Sequence, residues 1–313
     1  MNMHVSAHDG LLQPPLKYMG RKIKLVPFIE SVLPEGGFPG RWVEPFMGSG
    51  SVGFNLAMGA SRLKHAVMGD INEHVVRLYQ DIRDGRIVGE GVLQSLTQAS
   101  DLIKKTNGEH YYEIRERFNQ EHNPVDLITL SRTCFNGVMR FNRRGEFNVP
   151  FCRNINRLSD SHINSVVSMV NGVSERLSGG VWDLWADDYR EVLERAQVRE
   201  GDVLYLDPPY IDLSVGYYNN TWNLEDEKIL FDTVNNSGAS FILSTWASKQ
   251  STRGGHRENP HLKEIWGSRY NYVTTNHHYT VGAGSDTYGK SVEALVVSDD
   301  IAESLQAQGV LDA

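Results

Sequence analysis

A doubly wound α/β sheet carrying an inserted helical module is the fold class that the sequence predicts, and three observations predict it. First, residues 41–46 form a short apolar run, Met47-Gly48-Ser49-Gly50-Ser51 is a glycine turn, residues 52–58 are apolar at helical spacing, and residues 65–70 form a second short strand ending on an acid. Strand, glycine turn, helix, strand, acid is the order of the first half of a Rossmann-like nucleotide-binding sheet. Second, residues 202–207 form a further apolar strand that ends on Asp207 and runs into Pro208-Pro209-Tyr210. Third, the interval from Asp70 to Asp207 is much longer than the roughly 60 residues that two βα units of about 30 each require. The surplus predicts an insertion whose ends return to one sheet: residues 1–70 and 166–313 build the sheet domain, and residues 71–165 the inserted one.

Within the insertion, residues 72–83 place Val75, Val76, Leu78, Tyr79 and Ile82 on one helical face, and residues 90–105, 111–118 and 126–133 continue the helical series. Residues 135–141 and 146–151 are strand-like arms. Asn142-Arg143-Arg144-Gly145 between them carries the Gly of a hairpin loop, so a β-hairpin is expected over residues 135–151. Residues 163–177 are helical again, and residues 241–245 and 293–297 are later strands of the sheet. No internal repeat or low-complexity tract is visible.

The chain has 313 residues, a formal net charge of −8, 40% hydrophobic and 22% charged residues, a composition ordinary for a globular protein. No apolar run approaches the roughly 18 residues of a membrane helix. Residues 1–13 lack the apolar core of a secretory signal, and two cysteines, Cys134 and Cys152, make no disulfide framework. A reducing, cytoplasmic setting is therefore expected, with no membrane partner. The acidic total hides two basic segments. Arg132, Arg140, Arg143, Arg144, Arg153 and Arg157 face one acid, Glu146; Lys17, Arg21, Lys22 and Lys24 face none. Phe135, Phe141, Phe147 and Phe151 with Asn136, Asn142 and Asn148 interleave the first segment, a mixture suited to phosphates and bases.

Three motifs carry chemistry. Asp207-Pro208-Pro209-Tyr210 ends a strand, where ligands bind in open α/β sheets. It suits methylation of an exocyclic amine. The lone pair of adenine N6 is delocalised into the ring; the Asp207 carboxylate and the Pro208 carbonyl can accept its two hydrogens and aim the lone pair at a sulfonium methyl. The two prolines hold that carbonyl rigidly, and Tyr210 offers a face on which an extruded base can stack. A plain tight turn is the bland alternative. The second motif is Glu44-Pro45-Phe46-Met47-Gly48-Ser49-Gly50, whose glycines admit close approach of a ligand. With Gly53 it also matches the dinucleotide spacing of a dehydrogenase, and Asp70 could hold ribose hydroxyls under either reading. Glu44 at the strand end repels pyrophosphate and favours a cationic methionine moiety, so S-adenosylmethionine is preferred over NAD. The third, Lys17-Tyr18-Met19-Gly20-Arg21-Lys22, says little alone.

With these motifs in this order, the sequence resembles the Dam-type (group alpha) adenine-N6 DNA methyltransferases over residues 16–297, nearly the whole chain. The resemblance rests on residues 44–50, on residues 207–210, and on Cys134-Phe135-Asn136-Gly137 through Glu146-Phe147-Asn148-Val149-Pro150-Phe151. It implies a class I methyltransferase fold with an inserted target-recognition domain, S-adenosylmethionine as cofactor, and double-stranded DNA as partner. It assigns catalysis to Asp207, Pro208, Pro209 and Tyr210. Cofactor contacts fall to Tyr18, Lys22, Glu44, Phe46, Gly48, Gly50, Asp70 at the ribose, Asp188 and Tyr189 near the adenine, and Asp207. DNA contacts fall to Lys17, Phe135, Asn136, Val138, Arg140, Asn142 and Arg144, with Phe135 and Asn136 filling the space left by the flipped base and Arg140 reading a guanine. The expected target is GATATC or GATC, and a restriction endonuclease of the same specificity is an implied partner. Two departures stand out. Ser244-Thr245-Trp246 replaces the Ser-Asn of some members, and Phe135 stands where some carry Tyr.

No metal is expected, because a sulfonium is already activated; His256, His261, His277 and His278 lack Cys or carboxylate partners at ligand spacing. Residues 282–286 are expected to form a loop beside the active site or a plain hairpin connection. Two other functions compete: N-methylation of an RNA base or of protein glutamine, which uses a related box, although a protein methylase has no use for the basic hairpin, and DNA binding without catalysis, which the intact box argues against.

Overall fold

A computed structural model of the chain describes residues 10–18, 20–34, 37–57, 65–211, 222–250, 255–277 and 291–311. Its centre is one mixed sheet built from β1 (Trp42–Glu44), β2 (His65–Gly69), β3 (Val181–Trp185), β4 (Val203–Leu206), β5 (Ser240–Gln250), β6 (His256–Glu258), β7 (Asn271–His277) and β8 (Ser291–Val297). The order is β3-β2-β1-β4-β5-β8-β7, with β6 paired to the far end of β5. From β3 to β5 all neighbours are parallel; β8, β7 and β6 are antiparallel additions. β1 and β4 are buried along their whole length, as strands covered on both faces must be.

The helices are α1 (Val26–Glu30), α2 (Gly53–Leu56), α3 (Glu73–Arg83), α4 (Gly89–Lys105), α5 (His110–Glu121), α6 (Pro124–Thr133), α7 (Asp160–Ser178), α8 (Tyr189–Ala196), α9 (Leu224–Ser237) and α10 (Asp299–Ala307). Their starts are written locally. Asn72 caps α3 by accepting from the His74 amide at 3.1 Å, Asn123 precedes Pro124 and accepts from Val125 at 2.9 Å, and Asn223 with Asp226 forms a capping box on α9. One apolar core lies between the sheet and the helical run and extends through α3 to α7. A second lies under α8 and α9 on the opposite face. The expected fold class is the observed one.

Three expectations need correction. The helix after the glycine turn spans only Gly53–Leu56; residues 58–64 lie outside the described residues. Residues 135–151 do not form two ladder strands. Phe135–Gly137 is a 3-10 turn with Asn136 at φ 55°, and only two isolated bridges, Cys134 with Phe151 and Phe141 with Phe147, join the arms. Three backbone bonds cross between the arms, from the Phe135 amide to Pro150 O at 2.8 Å, from the Asn148 amide to Arg140 O at 3.1 Å and from the Asn142 amide to Glu146 O at 2.9 Å, and the outward-facing backbone groups bond to the helices. Asn119 of α5 accepts from the Phe147 amide at 2.8 Å and donates to its carbonyl at 3.2 Å, and the Tyr111 hydroxyl donates to Val149 O at 2.7 Å. Third, β3, β6 and β7 had no counterpart in the sequence expectations. β3 is an edge strand with Val181 exposed and Asp183 in its middle, so it lacks an apolar run. Residues 278–290, including His278 and the expected loop over 282–286, lie outside the described residues. Among the described residues both cysteines are free, no group of His, Cys, Asp or Glu could hold a metal, and no helix is long and apolar enough to cross a membrane.

Candidate active site and nucleic-acid face

β1 lies between β2 and β4, so the segments after Glu44, Gly69 and Leu206 leave the same edge of the sheet where the strand order reverses. That crevice is the general ligand site of open α/β sheets. It brings the glycine turn, Asp70 and residues 207–210 together from three distant parts of the chain.

Lys22 enters the crevice from the N-terminal segment. Its ammonium lies 3.0 Å from Asp207 Oδ1 and donates to the Tyr210 hydroxyl oxygen at 2.8 Å. Tyr210 in turn donates to Glu293 Oε2 at 3.1 Å, and Glu293, fully buried on β8, accepts from the Ser291 hydroxyl at 3.1 Å. Burial pushes the Asp207 carboxyl above the ordinary carboxylate range, and the Lys22 ammonium opposes that push. The Asp207 side chain retains 20% exposure, enough to meet a ligand. Pro208 is buried and Pro209 exposed. Lys249 of β5 stands 5.6 Å from the Tyr210 ring and 5.0 Å from the Trp246 ring, and burial lowers its ammonium to about 8.

The glycine turn is held by carboxylates. Asp70 accepts from the Gly48 amide and from the Asn72 amide, each at 2.8 Å. Glu44 is buried and accepts from the Trp42 indole at 2.9 Å. Desolvation pushes Glu44 up to about 8 and Asp70 up to about 6. Gly50 has φ +73°, and a Cβ there would lie 2.3 Å from the Phe54 ring; a Cβ on Gly53 would lie 2.5 Å from Glu44 Oε2. The Tyr18 ring covers Gly48, 3.5 Å from the position a Cβ would take. Phe46 stacks on Tyr189 with ring centroids 5.1 Å apart, and Trp222 meets both at 5.5 and 5.2 Å. Asp188 caps α8, accepting from the Arg190 amide at 3.0 Å.

The residues expected at DNA lie along a different stretch. Phe135 is 49% exposed, and Asn136 and Val138 are half-buried. Arg140 is exposed and donates to Asn148 Oδ1 at 2.7 Å. Asn142 is a turn residue: its side-chain oxygen accepts from the Arg144 and Glu146 amides at 2.8 and 3.0 Å, and its amide donates to Glu146 Oε2 at 2.6 Å. Arg144 is exposed at the loop tip. Lys17 packs its aliphatic stem where a Gly137 Cβ would fall, within 2.3 Å.

Sequence inspection missed Glu293, Lys249 and Ile71. Ile71, next to Asp70, is 70% exposed, the most exposed large apolar side chain among the described residues. An isolated apolar residue directly after a strand-ending acid was its only signal. Glu293 and Lys249 carry no local signal, since their neighbours come from β4 and the N-terminal segment.

A doubly wound sheet with a carboxylate-lined glycine turn, and an Asp-Pro-Pro-Tyr box on the adjacent strand, defines a class I methyltransferase-type protein. The profile of the D12 class N6 adenine-specific DNA methyltransferase family matches residues 18–281, and the chain belongs to that family. It is 28% identical over 301 residues to type II methyltransferase M.FokI of Planomicrobium okeanokoites, covering 93% of this chain and 43% of that protein. It is 26% identical over 304 residues to M1.LlaDCHI of Lactococcus lactis subsp. cremoris, covering 92% and 95%. It is 31% identical over 223 residues to the DNA adenine methylase of Escherichia coli (strain K12), covering 68% and 72%. The chain thus spans less than half the length of M.FokI and of the StsI modification methylase, of which it covers 44%.

Proposed function

We propose that the chain transfers a methyl group from S-adenosylmethionine to N6 of an adenine flipped out of duplex DNA. One observation carries this reading: Asp207 and Tyr210 share the Lys22 ammonium at the strand-end crevice, beside a glycine turn lined by Glu44 and Asp70. The residues fit the cofactor's chemistry. Asp70 offers a carboxyl group to ribose hydroxyls, buried Glu44 offers carboxyl oxygens to a cationic methionine moiety, and exposed Ile71 with Phe46 offers apolar surface to an adenine ring. When bound, the cofactor supplies a methyl group on an activated sulfonium.

The chain's own residues do the rest by positioning and electrostatics. With Lys22 on Oδ1, the second carboxylate oxygen of Asp207 accepts one N6 hydrogen, and the rigid Pro208 carbonyl accepts the other. Tyr210, held from behind by Glu293, offers its ring to the base. Asp207 takes the proton that N6 loses. Residues 71–165 serve as the target-recognition domain and residues 1–70 with 166–313 as the catalytic one. Phe135 and Asn136 occupy the gap in the duplex, Arg140 reads a guanine, and Lys17, Val138, Asn142 and Arg144 support the contact. Residues 42–48, 111–119, 134–151 and 244–246 are similar to the EcoRV modification methyltransferase, which favours GATATC as the target, with GATC next. A restriction endonuclease of the same specificity is the expected cellular partner. The names of M.FokI and StsI as a type II methyltransferase and a modification methylase support that setting.

Labelled-methyl transfer to duplexes with and without candidate adenines tests the proposal. Label on N6 of a defined adenine is expected; label confined to RNA or to protein glutamine, or none at all, would sink it.

A further inference from the structure

Outside the crevice, the described residues enclose a pocket of about 200 Å³ between the N-terminal segment, α6 and α7, lined by Lys17, Arg132, Arg157, Leu158, His162 and Val166. Three of these six side chains, Lys17, Arg132 and Arg157, end in an ammonium or guanidinium group, and none is an acid. The Arg132 guanidinium is committed to Pro15: its Nε donates to the Pro15 carbonyl at 2.9 Å, and a terminal nitrogen donates to the same oxygen and approaches Met169 Sδ at 3.2 Å. It is fixed in place, half-buried, with no carboxylate beside it. Arg157 and the Lys17 ammonium make no side-chain hydrogen bond or ion pair among the described residues. His162 is exposed at the rim, its Nδ1 2.8 Å from the Ser159 hydroxyl. Burial lowers the Lys17 ammonium, and the neighbouring Arg157 and Arg132 lower it further.

Half-buried like charges without a counter-charge are costly. Elsewhere this chain neutralises comparable groups, as Arg41 with Asp202 at 2.6 Å and Arg117 with Asp126 at 2.6 Å. The pocket thus lacks an anion that the chain does not supply. Its position names the source. Lys17 packs against Gly137, at the turn that presents exposed Phe135, so the pocket opens beside the proposed DNA-facing surface.

We infer that this pocket receives a backbone phosphate of the DNA duplex, bound by Arg157, Lys17 and His162 in the field of the fixed Arg132. The contact is to phosphate and reads no sequence, so it sets affinity and register rather than specificity. The inference rests on DNA being the substrate.

The test is fluorescence-anisotropy titration of the full chain with a duplex bearing the target and one lacking it, over a series of KCl concentrations. Arg157→Gln is expected to weaken both by the same factor, on the order of tenfold for one charged hydrogen bond. It is also expected to reduce the log–log salt slope by about 0.9, the signature of one lost phosphate contact. His162→Asp, on an exposed side chain, places an acid at the rim and should weaken both duplexes even if Arg157→Gln does not fold. Unchanged affinity and slope in either folded variant overturns the inference, as does a loss confined to the target duplex. Inorganic phosphate that raises the melting temperature of the wild type but not of Arg157→Gln, with DNA affinity equal in both, would assign the pocket to free phosphate and overturn the duplex contact. Absence of methyl transfer to DNA by the wild type would instead overturn the proposed function, leaving the two failures distinguishable.

Discussion

The Lys22 ammonium sits 3.0 Å from Asp207 Oδ1 and reaches the Tyr210 hydroxyl from the same position. Lys22 therefore does two things at once. It holds a buried carboxylate nearer its charged, accepting form, and it ties the carboxylate to the ring beside it. Expectations based on resemblance assigned Lys22 to the cofactor alone; the ion pair adds a role at the box itself.

Replacing Lys22 by Met removes the influence that lowers the Asp207 pKa, so that pKa rises further. A protonated Asp207 cannot accept an N6 hydrogen from that oxygen. The acid limb of the pH–rate profile for methyl transfer should move to higher pH in Lys22→Met, and activity at neutral pH should fall. An unmoved limb with reduced activity would mean that Lys22 serves only to bind.

Glu44 gives a stability signature. Burial raises it from 4.5 to about 8, so the folded chain keeps a proton that the unfolded chain loses at lower pH. Its contribution is fully present below about 4.5 and is lost as pH rises through about 8. The melting temperature difference between wild type and Glu44→Gln should shift against the wild type across that window. Thermal melts at stepped pH read it directly; a constant difference contradicts the raised value.

Gly50→Ala forces a non-glycine residue to φ +73° and drives a methyl group into the Phe54 ring at 2.3 Å. A cost of about 2 kcal/mol is expected for the backbone strain, together with weaker binding of S-adenosylhomocysteine by titration calorimetry. Unchanged binding would remove the glycine turn from the cofactor site.

Arg140→Ala should relax discrimination at one guanine of the target, by about 1–3 kcal/mol, rather than weaken all duplexes equally. Arg140 is exposed and lightly held by Asn148, so it is free to turn towards a base edge. Binding to single-substituted duplexes checks it. An equal loss on every duplex would reassign Arg140 to phosphate.

What could be read from the chain in advance divides along physical lines. Val43, Val67 and Leu204 sit in strands buried on both faces, so their apolar runs announce themselves, and the glycine turn and Asp70 follow from local spacing. The helices of the insertion were visible because Val75, Leu78 and Ile82 repeat at helical period and Asn72 marks a start. Edge strand β3 was not, because Asp183 interrupts it and Val181 faces solvent. The arms over 135–151 carry strand-like residues, yet they meet at only two isolated bridges, with the turn at Phe135–Gly137 interrupting one arm and Asn119 and Tyr111 tying the outward-facing backbone of Phe147 and Val149 to α5. Glu293 behind Tyr210 and Lys249 over its ring were invisible for a plainer reason. Their meaning depends on partners across the sheet, and the Lys22–Tyr210 bond alone spans 188 positions.

In the proposed mechanism Asp207 activates an amino group by accepting its hydrogen. Asp207→Ala, assayed for labelled-methyl transfer to duplex DNA with DNA affinity measured in parallel, tests it most directly. The expected result is a fall in transfer of about 10²–10³-fold, with the protein folded and duplex binding within a few-fold of wild type. Transfer at the wild-type rate in a folded Asp207→Ala would contradict the mechanism.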